Sequence, residues 1–451
     1  ALSEMIMKIG TTPQLNRGTD VEIADAVANQ LVSEFGCFVF DLGEFYVWRE
    51  THWGPLNEAE IIDRIRKLDG TEYFSNGQLR RVKLNRSRVE SIRFFLRYGA
   101  DSAEFFDDPP VGMNCASGFI TFDQQGQPTL NPHNLDHRQR HALPGSWHPD
   151  RLPKMEGSLL ETLKFGCFGE DPDGEEKFDL LAEVAGASAL GIGARLQSPK
   201  AIVLYGLKAE NGKSQVLHAI RSLLPLNAVC ELGPQRLSED RHVVRLVGAY
   251  LNATDELGGG AIYSDAFKNA VTGDYMVGRD VYKTAVRFRP RAQHILATNV
   301  LPPFKGGMDP GVRRRLLVVP FNQVIPPPGR NSARIAEIGK RIGTEEQDLL
   351  LSWAVDGASR LLRRGAYPDL AWSRAALAEW ILATDPVGAW LGDERETSIT
   401  GEGSDEVTDK QAYSAFKDWA FDAGIPRIQV PARGEFVRRV NSAGIPSLRV
   451  V

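Results

Sequence analysis

Several groups of residues in this chain have the types and spacing that phosphate chemistry requires. The first is Gly206-Leu-Lys-Ala-Glu-Asn-Gly-Lys-Ser214. Backbone N–H groups of such a loop, and of a helix that follows it, cradle nucleotide phosphates; a lysine reaches the β/γ oxygens and a hydroxyl ligates Mg²⁺. Gly206, Asn211, Gly212, Lys213 and Ser214 are thus the candidate nucleotide residues, with Ser214 also a metal ligand. Five residues separate Gly206 from Gly212, where the usual loop has four. Either Gly206 or Leu207 therefore takes the first glycine's place.

A phosphate-cradling loop needs an acid for the metal and a group that handles the attacking water. Leu246 to Glu256 is a moderately apolar run closing on Asp255-Glu256. Asp255 would stand by Mg²⁺ and Glu256 would polarise the water. The run Ala292-Gln-His-Ile-Leu-Ala-Thr-Asn299 ends on an amide that can bond the attacking water or the γ-phosphate. Gly311-Val-Arg-Arg-Arg315 sets three arginines side by side. Like charges in a row repel unless anions face them, and Arg314 or Arg315 fits an arginine that completes a neighbouring subunit's site. The active sites would then lie between subunits.

The stretch Arg279 to Arg291 holds five basic residues and one acid, with Tyr282 and Phe288 interleaved. Cations for phosphates and rings for bases suit single-stranded nucleic acid. Arg279, Tyr282, Lys283 and Arg287 are the candidate DNA contacts. Seven basic residues between Arg80 and Arg97 face a single acid, Glu90; a solvated helix face and a phosphate-contacting surface both fit. His133, His137 and His141 fall at i, i+4 and i+8. A metal-binding helix would want an apolar backing face and a carboxylate or cysteine partner, whereas this segment is polar and closely flanked by Pro132 and Pro144, which argues against metal.

The elements that must position these groups alternate between strand and helix. Ala201–Tyr205 reads as a strand before the loop and Gln215–Leu224 as a helix after it. Upstream, Val21–Phe35, Asn57–Leu68 and about Gln78–Tyr98 read as helices, Cys37–Trp48 as two strands turning at Leu42-Gly43, and Phe119–Phe122 as a short strand. Glu170–Glu176 reads as an acidic linker before a helix at Phe178–Leu190. Downstream, Ala333–Leu362 and Trp372–Trp390 read as helical, and Asp393–Val407 as a second acidic linker. The last segment opens with a helix at Lys410–Ala423 and turns basic.

With 451 residues, 42% apolar and 25% charged, the chain has the composition of a globular protein of several domains. No apolar run reaches the ~18 residues of a membrane span. The net charge of −5 does not advertise nucleic-acid binding, so that reading rests on local clusters. Cys37, Cys115, Cys167 and Cys230 are scattered without a CxxC pair, which suits a reducing cytosol and argues against a cysteine zinc site. The chain opens on Ala1 with no initiator Met and no secretory leader, fitting a processed chain or a piece of a longer one.

Asn-Gly-Lys-Ser214, Asp255-Glu256, Lys268, Thr272-Gly-Asp274, Arg279, Tyr282-Lys283, Ile295 to Asn299, Leu301-Pro302 and Arg314 to Phe321 stand in an order that resembles the superfamily 3 helicases. The likeness is to the helicase part of phage and plasmid primase-helicases related to the poxvirus one. It implies an α/β fold: an AAA+ P-loop ATPase core at 176–330, an N-terminal α+β domain at 1–175, a helical extension at 331–392 and a winged-helix-like segment at 408–451. It implies ATP and Mg²⁺, single-stranded or forked DNA, a ring of subunits (a hexamer), a primase domain or partner, and residence in a bacterial host's cytoplasm. In that family Asp255 and Glu256 form Walker B, Asn299 is sensor 1, and Tyr282 and Lys283 line the pore. The expected activity is ATP-dependent unwinding during a mobile element's replication. The alternative is an initiator or loader of the same ATPase class that uses ATP as a switch without unwinding.

Overall fold

The computed structural model describes residues 15–208, 210–255, 257–258, 260–280, 285–305, 307–325, 337–393, 407–425, 427 and 430–443. Ala201-Ile-Val-Leu-Tyr205 is apolar without a break, as expected of a strand covered on both faces. It lies within a five-stranded, fully parallel sheet. The strands run side by side as Val229–Cys230, Leu251–Thr254, Gln293–Thr298, Ala201–Tyr205 and Leu316–Pro320. Successive side chains of a strand point to opposite faces. Ile202 and Leu204 accordingly join a core with Leu181, Leu217 and Leu350, whereas Ala201 and Val203 join Phe267 and Trp380. The sheet is the middle of three layers.

One face is covered by helices at Gly174–Leu190, Lys213–Ser222 and Gln347–Arg364, the other by Ser264–Thr272 and Ala371–Thr384. The helices Gly174–Leu190 and Gln347–Arg364 meet through glycines. A Cβ on Gly357 would fall on the Ala182 carbonyl, and one on Gly186 would lie 2.5 Å from the Ala358 nitrogen. A further short helix, Ile338–Glu345, grips the helix after the phosphate loop, and Gly339 N–H donates to the Gln215 side chain at 3.0 Å. The first-layer core extends to both sides of residue 175: Met113, Ile120, Leu160 and Phe168 pack in it with the sheet.

The N-terminal residues build a separate small core around Ile23, Leu31, Val47, Ile61 and Leu96. The helix Asp20–Phe35 starts on a Thr19/Glu22 capping box and stops at Gly36 (φ +77°). The strands Phe38–Asp41, Glu44–Trp48 and Trp53–Leu56 form an antiparallel meander, followed by a helix at Glu58–Arg66. The expected helix over 78–98 is corrected. Glu72–Ser75 and Gln78–Arg81 pair as a hairpin about Asn76-Gly77, both with positive φ, and the helix runs only over Arg86–Ala100 from an Asn85 cap. Asn-Gly is the dipeptide that a two-residue hairpin turn favours, and it outweighs the helical spacing here.

The acidic stretch 170–176 is also not a free linker. Gly174 begins the helix Gly174–Leu190, and Lys177 forms a buried ion pair with Asp171 at 2.6 Å. The second acidic stretch lies outside the described residues for 394–406. Beyond it, the helices Asp409–Asp422 and Arg433–Ser442 pack Phe416 and Phe436 on Val387 and Trp390. No helix among the described residues is long and apolar enough to cross a membrane.

Candidate active site

Crevices in open parallel sheets form at the carboxyl ends of strands, where the strand order reverses. Here Gln293–Thr298, which comes late in the chain, is inserted between Ala201–Tyr205 and Leu251–Thr254. That insertion brings three strand ends together: the phosphate loop after Tyr205, Asp255 after Thr254, and Asn299 between them. Lys213 Nζ donates to Asn299 Oδ1 at 2.7 Å, to Asn211 Oδ1 at 2.8 Å and to Gly206 O at 3.3 Å. Ser214 Oγ donates to Asp255 Oδ1 at 3.2 Å. Burial holds the Lys213 ammonium below its ordinary pKa, and Asp255 pulls the other way.

The loop's shape follows from its residues. A Cβ on Gly206 would fall onto the Asn211 side-chain amide, whereas the Leu207 side chain is 80% exposed. Gly206 therefore takes the place that demands glycine, and the spare residue lies in the turn beyond it. Asn211 Nδ2 donates to Lys208 O at 2.9 Å and Phe321 O at 3.3 Å, which ties the loop to the end of the edge strand. Gly212 has φ +85° and caps the helix Lys213–Ser222, and any Cβ there would meet Cys167 Sγ. Burial pushes the Cys167 thiol up to about 12, so it packs as an apolar group. The first turn of a helix has N–H groups without intrahelical partners, and they point at the loop's concavity.

This donor set fits a nucleoside triphosphate with its metal. Backbone N–H groups and a lysine suit phosphate oxygens. One hydroxyl and one carboxylate are the few hard ligands with which a protein holds Mg²⁺, water and phosphate supplying the rest. Glu256 lies outside the described residues. Asp255's strand is locked against that of Asn299 by residues that composition alone did not flag. Asn252 and His294 stand opposite each other, with Asn252 Nδ2 donating to His294 Nδ1 at 3.0 Å and accepting Leu232 N–H on Oδ1 at 2.8 Å. The bond fixes the tautomer: Nε2–H faces Ala270 O at 3.3 Å. Burial pushes His294 down to about 4.

The three arginines separate into different environments. Arg313 Nε donates to Met308 O at 2.6 Å and Arg315 Nη1 to Gly311 O at 2.7 Å, both on their own turn. Arg314 is exposed, and its carbonyl accepts Lys200 Nζ at 2.6 Å. Arg315 O accepts Ala201 N–H at 2.8 Å, so the turn sits at the start of the strand whose far end carries the phosphate loop. Five residues at ~3.3 Å each put about 16 Å between them, more than an arginine side chain bridges. These arginines and the phosphate loop of the same chain do not meet.

The basic stretch forms a hairpin with strands Met276–Gly278 and Val286–Phe288. Tyr282 and Lys283 lie outside the described residues. Arg279 and Arg287 are exposed, and Arg287 stacks on the Tyr275 ring with its Cζ 3.9 Å from the centroid. Tyr275 carries no signal in the basic stretch because it precedes it. Two of the five cations are structural instead: Arg289 Nε donates to Gly273 O at 3.3 Å, and Arg291 Nε donates to Gly191 O at 2.8 Å beside the Tyr250 ring. Beside the hairpin, Leu42 packs into the second-face core and Gly43 faces Val286, at the start of the hairpin's second strand.

Along Arg80–Arg97 the solvated-face reading prevails for most charges. Arg81 pairs with Glu72, Arg88 with Asp20, and Arg93 with Glu58 and Glu90, while Arg97 covers Phe40. The three histidines go to different partners. His133 bonds Asn114, His137 stacks on Phe119, and His141 faces Gly248 O at 2.9 Å. No metal-binding group of His, Cys, Asp and Glu occurs among the described residues.

A family of unknown function, DUF5906, matches residues 204–315, the span from the phosphate-loop strand to the arginine turn. No curated protein matches the chain. Among solved structures, the A-form apo C-terminal region of NrS-1 is similar at 12% identity, over 92% of this chain and 90% of that one, with a TM-score of 0.47. Another apo structure of that region (305–718) is similar at 12% identity over 94% and 91%, with a TM-score of 0.41. JCV helicase, bound to a thiazolopyridine-phenoxyphenyl acetamide, is similar at 12% identity over 50% of this chain and 64% of its own, with a TM-score of 0.21.

Proposed function

We propose that this chain is an AAA+ ATPase that works as a ring-shaped, ATP-dependent DNA helicase in the replication of a phage, plasmid or other mobile element. The observation that carries the ATPase part is the meeting of Lys213, Ser214, Asp255 and Asn299 at adjoining strand ends, from positions up to 86 residues apart in the chain. Lys213 holds the β/γ-phosphate oxygens. Ser214 and Asp255 would hold Mg²⁺, and the chemistry such an ion would supply is positive charge against the phosphates. Asn299, already on Lys213, lies where it can orient the attacking water and sense whether the γ-phosphate is present. Glu256, next in the chain to Asp255, polarises that water.

Arg314 serves the neighbouring subunit's site, since its own lies about five strand residues away. That placement favours an assembly in which each site is shared. The DNA part rests on the hairpin, where Arg279 and Arg287 carry cations and Tyr275 a ring, and on Tyr282 and Lys283, which fall between its two strands in the sequence. A primase activity would come from a partner or a further domain.

Strand displacement on a tailed duplex, for the native chain and Lys213→Ala, tests the reading. The native chain should unwind with ATP and Mg²⁺, and Lys213→Ala should not. ATP hydrolysis by an assembled form that never separates strands would leave the switch-like initiator or loader instead.

A further inference from the structure

Asp385 is a buried carboxylate far from the phosphate loop in sequence, and four groups converge on it. Its Oδ2 accepts Met308 N–H at 3.0 Å and faces Arg313 Nη2 at 3.9 Å. Its Oδ1 accepts Gly388 N–H at 3.2 Å, capping the helix Pro386–Leu391, and faces Arg439 Nη1 at 3.5 Å. The surroundings leave no slack. Gly307 (φ +89°) would place a Cβ 3.0 Å from Asp385 Oδ2, and a Cβ on Gly388 would lie 2.5 Å from Arg313 Nη2.

The two oxygens thus have different jobs. Oδ1 is held by the C-terminal helices, through the Gly388 cap and Arg439. Oδ2 holds the turn that leads into the three arginines, through the Met308 backbone and Arg313. Arg313 in turn fixes that turn by donating to Met308 O. Arg439 also pairs with Glu435 on its own helix, so its guanidinium is oriented before it reaches Asp385.

We propose that Asp385 is a positioning residue for the arginine turn, and that Arg439 makes the seating of the C-terminal helices control it. Two backbone N–H groups hold the carboxylate, and the two guanidinium groups facing its separate oxygens bias its orientation, so loss of either charge loosens that orientation. Arg314, next to Arg313, would then lose its aim at the neighbouring copy. The inference rests on the shared-site reading above.

Mixed assemblies of the full chain test it, with ATP turnover and fluorescent-nucleotide binding as readouts. D385N keeps the oxygen acceptor for the Gly388 cap, loses the charge, and sets an NH2 donor where Oδ2 accepted the Met308 N–H. It should bind nucleotide as the native chain does, with kcat down about 10- to 100-fold, the cost of a small misplacement. Mixing it with K213A should restore much of the turnover, because the intact loop of one copy then faces the intact arginine turn of the other. R439Q should lose kcat in the same way and recover in the same mixture. R314A mixed with K213A is the control for the shared site. If that control fails to recover, the shared-site reading falls and this inference with it. If the control recovers while D385N does not, Asp385 supports its own copy's site and only the positioning role is overturned. Should D385N not fold, R439Q decides alone: no loss of kcat, or a loss without recovery in the mixture, overturns the proposal.

Discussion

The Lys213 ammonium has three N–H donors, and three oxygens take them: Gly206 O, Asn211 Oδ1 and Asn299 Oδ1. Its position is therefore set from the loop and from a separate strand at once. Asn299→Ala removes the contact from the strand and leaves the loop's own pair. Nucleotide binding should persist in a fluorescence titration while kcat for ATP falls by about 10²–10³, the usual cost of one oriented polar group. Equal loss of binding and turnover would assign Asn299 to the loop's shape alone. His294 carries a second prediction. It is neutral when folded, with its pKa near 4, and near 6.5 when unfolded. Between those values the unfolded chain takes up the proton, so stability is full above pH 6.5 and falls as pH drops toward 4, by on the order of 3 kcal/mol. His141, pushed to about 3, adds to the same trend. Denaturant midpoints measured at pH 7.5 and pH 5 should differ less for His294→Gln than for the native chain.

At the scale of elements, helices with end signals were legible. Thr19 with Glu22, Asn57 with Glu60 and Thr408 with Gln411 each form a capping box where the helix was expected to begin. The hairpin at Glu72–Arg81 was not, because the basic residues at helical spacing begin in its second strand, straight after the Asn76-Gly77 turn. The linker reading of 170–176 failed for a different reason: acids usually mark solvated chain, but Asp171 is neutralised by a lysine buried beside it. The contact between Gly174–Leu190 and Gln347–Arg364 gives a prediction whose sign is not the intrinsic one. Gly357→Ala favours the isolated helix by about 1 kcal/mol. The added methyl would meet the Ala182 carbonyl, however, and overpacking costs about 1–3 kcal/mol or more. A lower denaturant midpoint is expected; a raised one would mean that the helices separate freely.

For the whole molecule, the chain's charge is negative while its hairpin is positive. Binding to single-stranded DNA should therefore be local and salt-sensitive. Arg287→Ala should weaken binding and lower the slope of log K against log salt by about 0.7, the value for one phosphate contact on a single strand. Arg291→Ala, which empties a contact to Gly191 O, should lower the melting temperature instead. A reversal of those two outcomes would move the DNA path off the exposed edge of the hairpin.

The sequence by itself determined the local chemistry: a glycine loop with lysine and serine, acids and an amide at strand ends, a run of arginines. Those follow from residue type and near-neighbour spacing, which is all that backbone geometry and side-chain chemistry need. It left open which residue fills the first glycine place, because that depends on Asn211 folding back over Gly206. It could not tell Arg314 from Arg315, nor separate Arg287 from Arg291, because equal charges differ only in what lies against them. Nor did anything in the chain point to Asp385, whose partners other than Gly388 are 54 to 77 residues distant. These are contacts of the tertiary structure: inserting Gln293–Thr298 beside Ala201–Tyr205 puts Asn299 on Lys213, and the parallel pairing of Leu316–Pro320 on the other side of Ala201–Tyr205 leaves the arginine turn at the opposite end of the sheet. Hydrogen bonds between parallel strands fix such distances over long separations, and no local pattern encodes them.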